Sequence, residues 1–196
     1  MDDFFWISGA LWLDAVNSEW IKDGERVDGW PDLAALQAWL RQTSEHYAEA
    51  EALREIELHE GDGVLEAAKQ LRAALRSACE SAHKGQNVPV EALNQLNAAL
   101  SLRGVVAHLE ATPEGWRERE VLTYAPKAPL WLLARSAAHS WTAGELKRLK
   151  PCSNPNCILW FLDTSKNGTR RWCSMQACGN RHKVTAHYER QKQRGE

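Results

Sequence analysis

The sequence predicts a mainly α-helical body with one small β-hairpin, followed by a compact four-cysteine module. Three observations carry this. Long stretches rich in Ala, Leu, Glu and Arg place their apolar residues three and four apart, the helical spacing. Four of the five cysteines fall between residues 152 and 178. The charge also changes sign near residue 147. From there on, eleven Lys or Arg meet three acidic residues (Asp163, Glu189, Glu196), a net +8, whereas the first 146 residues hold 13 basic and 23 acidic groups, a net -10. The formal charge of -2 for the whole chain conceals that split. A basic module joined to an acidic body points to phosphate-bearing partners for the module.

A chain of 196 residues suffices for one good core and a small appended module. Of its ten tryptophans, eight (Trp6, Trp12, Trp20, Trp30, Trp39, Trp116, Trp131 and Trp141) precede the cysteines. Bulky aromatics of this kind fill a helical core, and a few can line a pocket or a dimer interface. The opening "MDDFFWISGALWLDAVNSEW" does not read as a secretory signal, because it starts acidic and Asp14 interrupts its apolar run. No window holds the eighteen or so apolar residues a membrane helix needs. The expected location is the cytoplasm, where paired cysteines bind metal or do redox chemistry more often than they crosslink.

The elements follow in order. Ser8 is placed to cap a first helix carrying Leu11, Trp12, Ala15, Val16 and Trp20 on one side. Asp14 and Asn17, three apart on that helix, are candidate contacts for a small-molecule ligand of the body; capping or buried hydrogen bonding is the alternative. In "DGWPDLAALQAWLRQT", Pro31 suits a first helical turn and Leu33, Leu36 and Leu40 form a stripe. The segment from Ser44 to Lys84 is helical in composition and is broken at "EGDGV", residues 60–64. Its Cys79 reads as a buried structural thiol. "VPVEALNQLNAAL" restarts a helix with Leu93, Leu96 and Leu100 on one face. "GVVAHLEATPEGWREREVLTY" reads as two strands joined at 112–115. "APLWLLARSAAHSWTAGELKRL" is a last helix of the body. Pro151 and the charge reversal in "KRLKPC" set the boundary, giving a body of residues 1–146 and a module of residues 147–196.

Cys152 and Cys157 are separated by four residues, and so are Cys173 and Cys178. Two loops that each present two thiolates supply the four tetrahedral ligands zinc prefers. Two disulfides fit the compartment poorly, and a thioredoxin-like centre needs a tighter pair beside a βαβ unit. His182 or His187 is an alternative ligand for one position. Between the pairs, "ILWFLD" and "TRRWC" read as strands joined at Asn167-Gly168. After Cys178 comes a charged helix with Val184 and Tyr188 on one face. Loop pair, hairpin, second pair and helix make a treble-clef-like layout. One structural Zn2+ held by four thiolates leaves no position for a catalytic water. His46, His59, His83, His108 and His139 are scattered without ligand spacing, so no enzyme is expected.

The stretch "FLDTSKNGTRRWCSMQACGNRHKVTAHYERQ" resembles the CGNR zinc finger family, named for the residues that stand here as Cys178-Gly179-Asn180-Arg181. The body resembles the ABATE domain that precedes this finger in bacterial proteins, through "LWLDAVNS", "DGWPDLAALQAWL" and "LNQLNAAL". The resemblance implies a stress-responsive transcriptional regulator whose finger binds DNA. From the residues themselves, Lys166, Arg170, Arg171, Asn180, Arg181, Lys183, His187 and Arg190 are the candidate nucleic-acid contacts. Asn and Arg side chains suit adenine and guanine edges, and a basic surface binds phosphate. Asn180 and Arg181 equally suit bracing of the metal loop. The competing reading is an interaction module that docks a protein or RNA. A homodimer would let two copies read a longer site.

Overall fold

The computed structural model describes residues 4–102, 104–123, 126–181, 183, 184 and 191. At its centre lies a six-residue helix, α1 (Leu11–Val16), of which every residue is buried. Helices α3 (Val64–His83) and α5 (Ala128–Thr142) pack against it, α4 (Val90–Leu100) packs on α3 and α5, and α2 (Leu33–His46) meets α3. A 3-10 turn at Ala48–Leu53 follows α2. The core joins Trp12, Trp30 and Trp39 with leucines from all five helices, so the tryptophan-rich composition is mainly core packing. Cys79 belongs to this core, where burial pushes its thiol far up from the ordinary range.

The first helix is shorter than its apolar spacing predicts. It ends at Val16, and Trp20 lies instead on a strand, β1 (Glu19–Lys22), paired with β2 (Glu25–Asp28). The reason is the Asp23-Gly24 turn, whose φ values of 53° and 89° fit a primed hairpin turn that a helix cannot continue through. Ser8 does not cap α1 directly: Ala10 holds that position. At α2 the cap is Asp32, whose carboxylate accepts from the Ala35 N–H at 2.8 Å, so Pro31 precedes the helix. On α4 the buried residues are Ala92, Leu96 and Ala99, and Leu93 turns toward solvent.

The break near residue 60 and the second hairpin stand where the sequence places them. Strands β3 (Val105–Thr112) and β4 (Gly115–Leu122) pair along their full length, mostly exposed.

In the cysteine module the predicted hairpin is rearranged. Strand β5 (Leu149–Pro151) pairs with β6 (Trp160–Leu162), so the hairpin encloses the first cysteine pair instead of separating the two pairs. "TRRWC" forms no ladder. The Arg170 N–H goes to the Asp163 carboxylate at 3.0 Å, and the Arg171 carbonyl accepts from Ser153 at 2.8 Å. Side-chain and loop contacts thus satisfy backbone groups that a second strand would have used.

Strand β6 has two buried faces, as its period of two dictates. Trp160 and Leu162 join the core of the body, with Leu149 from β5, while Phe161 joins the cluster of Cys152, Cys173, Cys178 and Leu159. Phe5, Ile7 and Trp20 of the body pack against that cluster.

Candidate metal centre

The first cysteine pair sits in the tip of the β5–β6 hairpin. Cys152 N–H donates to the Leu159 carbonyl at 2.9 Å, and Cys157 N–H to that of Asn154 at 3.0 Å, folding residues 152–159 back on themselves. Asn154 closes the loop by accepting from the Asn156 N–H at 3.0 Å, the turn chemistry expected of Asn-Pro-Asn. The second pair lies where an irregular segment enters a helical turn, Met175–Gly179. Ser174 caps that turn through Ala177 N–H at 3.3 Å. The helix continues through Asn180, Arg181, Lys183 and Val184.

The four sulfurs of Cys152, Cys157, Cys173 and Cys178 all lie within 4.8 Å of one another. Cys157 and Cys173 are 3.7 Å apart, and Cys173 and Cys178 3.6 Å. Zinc about 2.3 Å from each of four thiolates sets their sulfurs about 3.8 Å apart, so the cluster has the dimensions of that tetrahedron. Disulfides are absent among these cysteines. Without a cation, such crowding opposes ionisation of more than one thiol. Hydrogen bonds from neighbouring thiols favour the Cys152 thiolate, and its proximity holds the Cys157 and Cys173 thiols above their ordinary range. A divalent ion removes that conflict, because it lets all four ionise. The module therefore holds one structural Zn2+, with Cys173 N–H also directed at the Cys152 sulfur at 3.5 Å.

Residues 9–144 match the ABATE family model, described as "Putative stress-induced transcription regulator", and residues 148–191 match the CGNR zinc finger. The chain belongs to the ABATE family. No curated protein matches the sequence. In this ABATE–CGNR chain the body and the finger share a core, and Asn17, one of the two candidate ligand contacts on α1, is part of what joins them.

Asn17 is fully buried and bonds both backbone groups of Trp160: its amide donates to the carbonyl at 2.8 Å and its oxygen accepts from the N–H at 2.8 Å. It stands in for a strand on the outer edge of β6, where the Leu162 N–H also donates to the Ser8 carbonyl at 2.8 Å. Asp14 is buried too. Its carboxylate accepts from the Ser8 N–H at 3.0 Å and from the Tyr47 hydroxyl. Burial pushes the Asp14 carboxyl up, against those bonds. Neither residue is placed to contact a ligand, which corrects the expectation of a pocket on α1. Arg76 adds a further tie, donating to the Val16 carbonyl at 2.6 Å and to that of Ile158 at 3.1 Å. Asn17→Ala leaves two buried backbone groups unpaired and should cost about 3 kcal/mol. At this chain length we expect the melting temperature to fall by roughly 10 °C. Asn17→Asp, which sets a buried carboxylate oxygen against the Trp160 carbonyl, should fall at least as far; calorimetry of the zinc-loaded chain reads both.

The basic residues divide. Lys166, Arg171, Asn180, Arg181 and Lys183 are exposed. His187 and Arg190 lie outside the described residues. Arg170 is turned inward, a second correction. Its guanidinium lies 4.2 Å over the Phe161 ring and donates to the carbonyls of Trp172 (3.0 Å), Ile7 (3.1 Å) and Cys173 (2.5 Å). Arg170 thus braces the zinc loop, a role the sequence offers to Asn180 or Arg181 as an alternative to base contact. Beside it, Asp163 gathers Lys150, Ser165 and the Arg170 N–H, and the Lys150 ammonium holds its carboxyl well below the usual range. Gly179 is buried, and a side chain there would press on Met175 and Trp172. No helix among the described residues is long and apolar enough to cross a membrane.

Proposed function

We propose that this chain is a DNA-binding transcription regulator. The zinc finger supplies the contact surface and the acidic ABATE body serves as its regulatory part. The observation that carries the reading is the division of basic residues on the finger. One arginine is consumed in bracing the metal loop, while Lys166, Arg171, Arg181 and Lys183 face solvent on a module whose sequence is net +8 from residue 147 onward. Asn180 and Arg181 follow the last zinc ligand at the start of a helix, where their side chains suit base edges. A knuckle followed by a ligand-bearing helical turn supports the treble-clef reading. Four thiolates fill the metal's shell, so the proposal includes no catalytic step, and it places the protein with DNA in the cytoplasm, as monomer or homodimer.

A second reading, docking of a protein or RNA, draws on Met175 and Val184, exposed at 53% and 55% on the same turn and helix. Fluorescence anisotropy of random and selected duplex DNA separates the two. Four phosphate contacts give a slope of about -3.6 in log affinity against log salt, so raising salt fourfold should weaken binding roughly a hundredfold. Absence of binding at low salt would remove the DNA reading and leave the docking one.

A further inference from the structure

Two cavities of about 920 and 420 Å³ share Phe5, Trp20, Ile21, Asn156 and Arg181 in their walls, so they are halves of one groove. It runs between the β1–β2 hairpin and the zinc finger, the larger half on the body and the smaller against the metal loop. Phe5 and Trp20 meet edge to face, with centroids 5.5 Å apart. In the smaller half, Ile7, Leu159 and Ala177 extend the apolar wall, and among the described residues Arg181 is its one charged side chain apart from the zinc thiolates. The larger half adds Lys22, Asp23 and Asp28. Asp28 is already engaged by Arg72 at 2.7 Å and Lys69 at 2.9 Å.

We propose that this groove binds a small organic anion with a flat apolar body, of the aromatic carboxylate type. Its ring lies along Phe5, Trp20 and Ile21, and its carboxylate faces Arg181 and the Asn156 amide. The volumes suit a molecule of one to three rings. Arg181 already interacts elsewhere in the chain, but a guanidinium carries five N–H donors and can serve a carboxylate as well. Because one wall belongs to the body and the other to the finger, occupancy ties the state of the ABATE body to the finger. Under the DNA reading, the anion and DNA compete for Arg181. The site itself does not depend on that reading, and its test is run without DNA.

The test is isothermal titration of the zinc-loaded full chain with 2-naphthoate and with its uncharged counterpart 2-naphthylmethanol. Naphthoate should bind saturably at one site, about tenfold more tightly than the alcohol. Arg181→Gln should remove that preference while the alcohol stays within about twofold of its original affinity. Ile21→Trp, which fills the shared wall, should abolish binding of both, with zinc content and melting temperature reporting that the variant is folded. No saturable heat with naphthoate at millimolar concentration would overturn the proposal. So would binding unaltered in both variants. If Ile21→Trp fails to fold, the Arg181→Gln comparison alone decides.

Discussion

Replacing Cys173 by serine is expected to release the zinc ion and unfold the finger. The Cys173 sulfur lies 3.7 Å from that of Cys157 and 3.6 Å from that of Cys178, and the residue's N–H and carbonyl are held by the Cys152 sulfur and Arg170. The apolar cluster around the metal is small: Cys152, Leu159, Phe161, Cys173 and Cys178, edged by Phe5, Ile7 and Trp20. Such a cluster does not hold fifty residues folded unaided, so metal binding supplies most of the stability, on the order of 10 kcal/mol. Serine offers no thiolate, and the three remaining ligands leave a site open to water and to loss of the ion. The damage should reach past the finger. Leu149, Trp160 and Leu162 belong to the core of the body, and unfolding β5 and β6 strips them from α1 and α3. We therefore expect Cys173→Ser to lose stoichiometric zinc, lower the melting temperature of the whole chain and expose tryptophan to solvent. Zinc analysis, calorimetry and tryptophan emission read these three effects. A body that melts unchanged without zinc would contradict the shared core.

Arg170→Ala and Arg171→Ala are expected to differ sharply, although the residues are neighbours in the sequence. Arg170 satisfies carbonyls of Trp172, Cys173 and Ile7 and covers the Phe161 ring. A hydrogen bond to a charged group contributes about 1.5–3 kcal/mol, and carbonyls left buried without a donor add to the loss. Arg170→Ala should cost about 4 kcal/mol and speed zinc loss to a chelator, because the carbonyl it braces belongs to a ligand. Arg171 is exposed, near the Trp172 ring at 5.3 Å. Its replacement should change stability by less than about 0.5 kcal/mol and should reduce the salt slope of DNA binding by about one phosphate contact. Equal effects of the two variants on stability would contradict the division of roles.

Much of this architecture was legible in the sequence because it depends on local signals. The presence of helices α2 to α5, the long β3–β4 hairpin and the equal spacing of the cysteine pairs are each written within a few residues. Other features depend on partners far along the chain. Asn17 bonds Trp160 across 143 positions, and Arg170 reaches Ile7 across 163, so no local pattern distinguishes them from a pocket residue and a DNA contact. The β1–β2 hairpin is a different case. Its Asp23-Gly24 turn is a strong local signal, outweighed by an apolar spacing that carried the first helix through Trp20. Likewise β6 reads as one arm of a hairpin with "TRRWC", because nothing in its sequence shows that its partner is Leu149–Pro151. The Cys-Gly-Asn-Arg run is now divided by role: Cys178 holds the metal, Gly179 is packed beneath Trp172, and Asn180 and Arg181 face solvent.

In the proposed function, a zinc-built finger brings this chain to DNA. Genome-wide occupancy of the full chain in cells, compared with that of Cys173→Ser at matched abundance, tests it most directly. Discrete enriched sites are expected for the native chain, and their loss in the variant. Occupancy no higher than background, or sites retained without the zinc ligand, would contradict it.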